Sequence, residues 1–310
     1  MKNRAADPSA RRVLLLGAGG QLGRALWEFR PSGVEVVRSA RDDLDLTRPV
    51  DIEAALKAAS PDLILNAAAY TAVDRAEREF ELACAVNAEA PAALARLARA
   101  GGIRLVHVST DFVFPGDRGR PWRPEDPPRP VNRYGESKAE GEKAIQSLGH
   151  SLALIVRTGW VYAPWGHNFF RTILRLLGER DELHVIDDQV GTPTSALSLA
   201  RFLWKVAMRE DLSGILHWSD AGVASWYDFA CAIEEEARNA GLLKRLVPIH
   251  PIPTEAYPLP ARRPFQAILD KSETIARTGL EPVHWRTALS QVVRRFAEDP
   301  NRPGSRTGKS

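Results

Sequence analysis

The stretch Val13-Leu-Leu-Leu-Gly-Ala-Gly-Gly-Gln-Leu-Gly23 decides the fold class. Its apolar start predicts a buried strand, and a helical pattern over residues 21–29 follows directly. Between them stand Gly17, Gly20 and Gly23, whose spacing lets the chain turn tightly, approach a pyrophosphate and pack helix on strand. A helix N-terminus placed there favours an anion. We therefore predict a dinucleotide-binding unit in preference to a glycine turn without a ligand, although the motif does not say which nucleotide binds.

The alternation of strand and helix continues through the first half of the chain. Further apolar runs predict strands at residues 34–37, 63–65, 103–108 and 152–157. Helical patterns separate them, at residues 52–59, at 79–99 with an interruption or kink at Pro91, and at 134–147. Near-continuously apolar strands alternating with helices indicate an α/β fold, a Rossmann-type doubly wound parallel sheet with helices on both faces.

The second half of the sequence is less regular. Helices are predicted at 168–178, 196–208 and 226–240, a strand at 183–186, and a proline-rich extended segment at 248–264. We predict a dinucleotide-binding domain over residues 1–160. Residues 161–310 are expected to form mainly a smaller mixed α/β substrate-binding domain, with some elements returning to the sheet and a disordered tail after about residue 299.

Composition excludes several classes of protein. The net charge of +3 over 310 residues comes with no block of lysines and arginines, which argues against a nucleic-acid partner. No stretch approaches the roughly 20 apolar residues of a membrane helix, and no signal-peptide core is found. Cys84 and Cys231 stand in apolar helical contexts, which favours free thiols. These features together predict a cytoplasmic protein.

A catalytic constellation follows the predicted fourth strand. Ser109 and Thr110 stand at its C-terminal end, where open α/β sheets bind ligands. Downstream, Tyr134 and Lys138 are four residues apart and share one helix face. A lysine beside a phenol lowers the phenol pKa, and such a tyrosine can give a proton to a carbonyl oxygen that receives a hydride. We therefore predict a nicotinamide-dependent reductase with Tyr134, Lys138 and Thr110 as its catalytic residues.

The identity of the cofactor is predicted from the end of the second strand. Arg38 and Arg41 stand where an acidic residue would favour NAD, and an arginine suits a 2′-phosphate. This favours NADPH, with NADH left open. Asp45 is predicted on the adenine side.

The motifs together resemble the extended short-chain dehydrogenase/reductases and, more narrowly, the dTDP-4-dehydrorhamnose reductases. The resemblance runs from about Val13 to Arg295. It rests on Gly17–Gly23, Asn66–Asp74, Ser109–Gly116, Tyr134–Glu142, Arg157–Tyr162, Asp188–Thr194, Ser225–Phe229 and Pro258–Pro264. It implies reduction of the C4 ketone of dTDP-4-dehydro-L-rhamnose, a nucleotide-sugar substrate, to dTDP-L-rhamnose for polysaccharide biosynthesis.

The resemblance also implies roles for single residues. Tyr134 becomes the proton donor with Lys138 as its partner, Thr110 and Asp111 contact the sugar, and Trp160 lines the substrate pocket. By resemblance, the cofactor-binding positions are Gly20, Gln21, Leu22, Asp45, Leu46, Ala67, Ala68 and Ala69. The glycine loop, the end of the second strand and the catalytic pair add Gly17, Gly23, Arg38, Tyr134 and Lys138. Arg262 and Arg263 suit a diphosphate through bidentate hydrogen bonds, against the alternative of a surface pair. Asn168 and Gln189 are predicted to bind substrate because they adjoin pocket motifs.

The chain also departs from the family pattern. Gly159 stands where relatives often carry serine. Ala25 and Leu197 occupy positions at which some relatives carry metal-binding glutamates, so no metal site is predicted. Open alternatives are a reductase of another nucleotide-linked 4-keto sugar and a non-catalytic NADP-binding regulatory subunit of the same fold. A homodimer is also left open.

Overall fold

A six-stranded parallel sheet organises the chain, which a computed structural model describes over residues 11–300. Its strands are β1 (Arg11–Leu16), β2 (Val34–Ser39), β3 (Leu63–Asn66), β4 (Arg104–Thr110), β5 (Ala153–Thr158) and, later in the chain, β10 (Gly214–His217). The strand order is β10-β5-β4-β3-β1-β2, and every neighbouring pair is parallel. The predicted fold class, a Rossmann-type α/β sheet, is confirmed. The part of the predicted disordered tail from residue 301 onward lies outside the described residues.

Helices cover both faces of this sheet, which explains why its strands are apolar along their whole length. In β1, Val13 and Leu15 enter one core cluster, whereas Leu14 and Leu16 enter the other. The longer helices are α1 (Gln21–Glu28), α2 (Pro49–Ala59), α5 (Ala90–Gly101), α6 (Arg133–Ser147), α7 (Phe169–Glu179), α8 (Ala196–Ala207), α9 (Trp226–Asn239) and α11 (Trp285–Glu298). Shorter ones are α3 (Val73–Ala76), α4 (Phe80–Cys84) and α10 (Ser272–Thr278).

The helix predicted over residues 79–99 is divided by a π-helical turn. Helix α4 is followed by this turn at Ala85–Glu89 and then by α5, in which Pro91 lies at the first turn. Proline fits there because it lacks the N–H that a first turn leaves unpaired. The predicted interruption is therefore present, but it precedes Pro91 and takes the form of a wider turn.

Short strand pairs from the second half lie outside the six-stranded sheet, and we call them the rim. They are β6 (Val161–Tyr162) with β9 (Thr194–Ser195), β7 (Leu183–Ile186) with β12 (Ile249–Ile252), and β8 (Val190–Gly191) with β11 (Ala224–Ser225). The proline-rich segment contains β12 and is extended, except for a single helical turn at Thr254–Ala256.

Two elements of the second half join the main sheet layer. Strand β10 pairs with β5, and α8 packs against α1, where the Trp204 indole N–H donates to the Leu26 carbonyl at 2.8 Å. The division into two domains near residue 160 stays a prediction. No helix within residues 11–300 has the length and apolarity needed to cross a membrane.

Candidate active site

The glycine loop after β1 leaves backbone N–H groups open at the start of α1. Gly17 has φ +74°, and a Cβ there would lie 2.6 Å from the Ala68 nitrogen, so only glycine fits. Gly20 precedes α1 without any side-chain cap. A Cβ at Gly23 would lie 2.0 Å from the Gly17 carbonyl oxygen, which shows how closely α1 packs on the loop. The uncapped first turn therefore suits an anion such as a pyrophosphate.

A cleft of about 660 Å³ extends from this loop along the C-terminal ends of β1, β2 and β3. Most of the predicted cofactor-binding residues line it, namely Gly17, Gly20, Asp45, Leu46, Ala67, Ala68 and Ala69. Asp45 accepts hydrogen bonds from the Thr47 hydroxyl at 2.7 Å and the Thr47 backbone N–H at 2.9 Å, which lower the pKa of its carboxyl. The cleft therefore offers backbone donors for the phosphates of a nucleotide.

The two arginines predicted to read a 2′-phosphate lie apart. Arg41 lines the cleft. Arg38 is exposed and its guanidinium lies over the Trp27 ring, 4.6 Å from the ring centroid, so it is not part of the cleft wall. The predicted placement of Arg38 at the cofactor is therefore not found in this structure, because stacking on Trp27 holds the side chain elsewhere.

A second cavity of about 1050 Å³ adjoins the cleft and shares Gly20, Ala67 and Ala69 with it. It brings together the predicted catalytic residues Thr110, Tyr134 and Lys138 with Gln21, Leu22, Asp111, Trp160, Asn168, Gln189 and Arg263. A ligand in the cleft and a ligand in this cavity would thus meet between the glycine loop and the residues after β3, next to the end of β4.

Tyr134 lies in the first turn of α6, which is held close to the end of β4. The Asn132 side chain caps this helix by accepting from the Gly135 N–H at 2.8 Å. A Cβ at Gly135 would lie 2.2 Å from the Phe112 carbonyl oxygen, so glycine permits the approach. Burial and the nearby Asp111 carboxylate raise the pKa of Tyr134 to about 12, against a lowering by hydrogen bonding to Thr110. Tyr134 is therefore protonated at neutral pH.

Lys138 does not lower the Tyr134 pKa in this arrangement, contrary to the prediction. Its ammonium nitrogen is bonded elsewhere, at 2.8 Å from the Val108 carbonyl oxygen and 3.3 Å from His107 Nε2. Burial lowers the pKa of Lys138 to about 8, while Glu142 one turn along the helix raises it. The pair still shares one face of α6, but the lysine faces the strand and not the phenol.

Asp111 places a buried carboxyl at the floor of the cavity. Its Oδ1 accepts from the Thr110 hydroxyl at 3.0 Å, and its Oδ2 has no hydrogen-bond partner among residues 11–300. Burial raises the pKa of Asp111 to about 7. A Cβ at Gly159 would lie 2.1 Å from this Oδ2, so the carboxyl occupies space that a side chain at 159 would need.

An ion pair anchors α6 to the sheet behind the catalytic residues. Glu142 accepts from Arg157 of β5 at 2.7 Å, and both side chains are 1% exposed. Arg157 also donates to the Pro124 carbonyl. Because both partners are buried, loss of either one would leave the other charge buried and unpaired. The ion pair therefore holds α6, which carries Tyr134 and Lys138, against β5.

Trp160 forms an aromatic wall of the cavity. It adopts φ +50°, which is rare for a bulky residue, and stacks on Trp226 with ring centroids 3.4 Å apart and planes 2° apart. A Cβ at Gly191 would meet this indole at 2.6 Å. Gln189 accepts from the Trp226 N–H at 3.2 Å and donates to the Thr254 hydroxyl at 3.0 Å.

The remaining residues predicted to bind substrate differ in whether they line the cavity and whether their polar atoms are already bonded within the protein. Asn168 caps α7 and donates to Gln21 Oε1 at 2.7 Å and to two backbone carbonyls, so its polar atoms are already bonded. Arg263 lines the cavity but forms a bidentate ion pair with Asp74, at 2.6 and 2.8 Å. Arg262 is exposed and does not line the cavity, and its carbonyl accepts from Asn132 Nδ2.

Three residues of this site were missed by the sequence analysis. Trp226 and Asp74 act through partners that are distant in sequence, Trp160 and Arg263. His107 carried a usable signal, since it is a polar residue within the otherwise apolar run of β4. Within residues 11–300, no group of three or more His, Cys, Asp or Glu side chains is placed to hold a metal ion.

The cleft, the catalytic helix and the parallel sheet together define a nucleotide-dependent oxidoreductase with the Rossmann-type fold. Residues 11–298 match the family described as RmlD substrate binding domain. A dTDP-4-dehydrorhamnose reductase from Burkholderia thailandensis is 43% identical, covering 91% of this chain and 98% of its own. One from Escherichia coli K12 is 40% identical, covering 91% and 96%.

A solved structure agrees with these sequence relatives. The dTDP-4-dehydrorhamnose reductase of Bacillus anthracis, determined in complex with NADP, is 34% identical, with a TM-score of 0.86 over 91% of this chain and 98% of that one. The chain therefore belongs to the dTDP-4-dehydrorhamnose reductase family. The predicted family and oxidoreductase class are confirmed, and the predicted cofactor class agrees with the NADP complex of that relative.

Proposed function

We propose that the chain reduces the C4 ketone of dTDP-4-dehydro-L-rhamnose to dTDP-L-rhamnose with NADPH. The observation that carries the proposal is Tyr134. It is protonated at neutral pH, lines the cavity beside Thr110, and lies next to the glycine-loop cleft. A reductase needs a proton donor at this point, and the phenol carries a proton at neutral pH, as an ordinary tyrosine also does; its position beside Thr110 in the cavity is what makes it the donor.

The glycine loop and the end of β4 would hold the two reactants in contact. The open N–H groups at the start of α1 fit the pyrophosphate, and Ala67–Ala69 leave room for a ring against the backbone. When bound, NADPH supplies the hydride that adds to C4. The Tyr134 phenol gives its proton to the ketone oxygen as that oxygen gains charge. The Thr110 hydroxyl, turned from Asp111 Oδ1 towards the substrate, donates a hydrogen bond to the same oxygen.

Substrate recognition is proposed from the walls of the second cavity. Trp160, supported by Trp226, offers a flat apolar face, and Gln189 and Asp111 offer polar groups near it. Arg263 would contact the diphosphate while it shares its guanidinium with Asp74. Arg262 is a weaker candidate for this role because it is exposed and does not line the cavity.

The proposal is tested by following NADPH oxidation with a panel of nucleotide-linked 4-keto sugars. We expect the highest kcat/KM with dTDP-4-dehydro-L-rhamnose, and dTDP-L-rhamnose as the product. Faster turnover of another keto sugar would show that the proposed substrate is wrong, while the protein would still be a keto-sugar reductase. Tight NADPH binding without turnover of any sugar would instead support the non-catalytic alternative.

A further inference from the structure

A buried chain of three polar side chains runs from the cofactor cleft to the catalytic lysine. Asn66 ends β3, His107 lies in the middle of β4, and Lys138 lies on α6; none is more than 1% exposed. Asn66 Nδ2 lies 3.0 Å from His107 Nδ1, and His107 Nε2 lies 3.3 Å from Lys138 Nζ. These hydrogen bonds join the backbone of the cleft at Ala68 to Lys138, one turn along α6 from Tyr134.

The direction of these hydrogen bonds is fixed at the Asn66 end. The Asn66 Oδ1 accepts from the backbone N–H of Ala68 at 3.1 Å, so the amide NH₂ faces His107. An amide NH₂ only donates, and His107 Nδ1 must therefore accept. Burial and the nearby Lys138 hold the pKa of His107 well below its usual range, so its ring is neutral and carries one proton. That proton lies on Nε2, which faces Lys138.

Lys138 completes the chain only as a neutral amine. An amine can accept from the His107 Nε2–H and still donate to the Val108 carbonyl at 2.8 Å. An ammonium has three donors and no acceptor, so it would meet the Nε2–H with a second donor. Relief by moving the imidazole proton to Nδ1 would place that proton against the Asn66 NH₂. The polar groups of Asn66, His107 and Lys138 are therefore all satisfied only when His107 carries its proton on Nε2 and Lys138 is a neutral amine.

We propose that Asn66 and His107 are positioning residues that hold Lys138 against the end of β4 and favour its neutral form. The inference rests on the proposed reductase function. After Tyr134 gives its proton to the ketone, the phenolate is left without one. Lys138 enters the step as an ammonium whose Nζ is bonded to Val108 and lies beside His107, not beside the phenol. Its proton therefore reaches the phenolate through water in the cavity, and the resulting amine is the form that the His107 N–H stabilises. Lys138 then regains a proton from water in the cavity.

The charged groups around Lys138 act in both directions. Glu142 favours the ammonium from one turn along α6, but Arg157 on β5 holds that carboxylate in an ion pair. Asp111 and Tyr134 lie on the cavity side. Burial favours the amine, and the pKa of Lys138, lowered to about 8, agrees with that balance.

The first test reads the His107 tautomer directly and needs no substrate. Protein labelled with ¹⁵N-histidine carries seven histidines, and the His107 signals are assigned by their loss in His107→Gln or, if that variant does not fold, in His107→Asn. At pH 9 we expect a protonated Nε2 and an unprotonated Nδ1. The Nδ1–H tautomer should gain population as the pH falls through 8. A protonated Nδ1 at pH 9 would overturn the inference.

The second test uses the pH profile of kcat, which should fall as Lys138 loses its proton above about pH 8. In Asn66→Asp, a carboxylate accepts from the His107 Nδ1–H, so Nε2 accepts from the ammonium. The high-pH limb should move up by about one unit. In the Asn66→Asp/His107→Gln double variant, most of the shift of the high-pH limb should be lost. If the new carboxylate acts on Lys138 only through its charge, the shift will persist in the double variant, and that result would refute the proposed hydrogen-bond series.

A control is offered by His150, a partly buried histidine after α6 that bonds to the Ile103 carbonyl at 2.8 Å and has no contact with the Glu142–Arg157 pair. His150→Gln should leave the high-pH limb in place, and an equal shift in this variant would contradict a specific role for His107. If the wild-type protein reduces no keto sugar, the proposed function fails, and the His107 tautomer still decides the inference.

Discussion

The cofactor cleft and the catalytic cavity adjoin, yet they are built by opposite means. The cleft consists of backbone brought close by glycines, and its ionisable side chains, Arg41 and Asp45, are exposed. The cavity floor instead contains Asp111 and Lys138, each 1% exposed, with Tyr134 9% exposed beside them. The cleft offers closely spaced backbone groups to a ligand, whereas burial in the cavity shifts the pKa values of ionisable side chains. Substitutions in the two regions should therefore have different effects.

The largest effect is expected at the phenol of the cavity. Tyr134→Phe removes the proton donor and should lower kcat by roughly 10²- to 10⁴-fold, because no other hydroxyl there replaces its acid function. NADPH binding, measured by fluorescence titration, should change little. Tyr162→Phe is the matched control, since its buried hydroxyl has no partner within residues 11–300. Retention of full activity by Tyr134→Phe would refute the mechanism.

The second effect concerns stability and its dependence on pH. The pKa of Asp111, about 7 in the folded protein against ~3.9 when unfolded, means that the folded state holds the extra proton between these values. Its stabilising contribution is complete below about pH 4 and is lost as the pH rises through 7. Asp111→Asn should therefore raise the free energy of unfolding at pH 8, by up to about 4 kcal/mol, and by much less at pH 4.

Denaturant unfolding of both proteins at several pH values measures this difference. The comparison with wild type cancels the buried histidines, such as His217 with a pKa lowered to about 3, which make stability rise with pH. Asp117→Asn, at an exposed ion pair with Arg129, should change stability little at any pH. A wild-type-minus-variant difference that does not vary with pH would show that Asp111 is ionised in the folded protein.

Third in size is the cost of a single methyl group in the glycine loop. Gly23→Ala places a Cβ 2.0 Å from the Gly17 carbonyl oxygen, so α1 must move away from the loop. We expect a loss of stability of about 1–3 kcal/mol together with weaker NADPH binding. Gly178→Ala in α7 is the control, because nothing lies within 4 Å of the added Cβ. Unchanged affinity for NADPH in Gly23→Ala would show that the glycine loop does not bind the cofactor.

The smallest effect should distinguish the two arginines at the end of β2. Arg41→Ala should lower kcat/KM for NADPH by about tenfold and leave that for NADH unchanged, as expected for one exposed charge-assisted contact. Arg38→Ala should alter neither value, because its guanidinium lies on Trp27. The opposite ranking of the two variants would mean that Arg38 leaves Trp27 when cofactor binds.

The sequence predicted the sheet and the glycine loop well because both are encoded locally. An apolar run such as Val13–Leu16 has to be covered on both faces, and glycines between strand and helix have few other uses. The two-residue strands of the rim have no periodicity to detect. Their positions depend on Trp160, Gly191 and other residues that meet only after folding.

The sequence predicted which residues form the candidate site better than it predicted their pKa values and hydrogen-bond partners. Spacing alone placed Tyr134 and Lys138 on one helix face, and the structure agrees. It could not show that the lysine turns to Val108 and His107, since this depends on how deeply α6 packs against β4. The rise of the Tyr134 pKa has the same origin, because burial is a property of the whole fold.

The contact between Gly159 and Asp111 also has a consequence for protein engineering. With the carboxyl oriented as it is, any side chain at 159 would displace it, so the two positions cannot be changed independently. A serine introduced at 159 fits only if the aspartate turns to another rotamer. A library that varies these two positions should therefore sample them together and not one at a time.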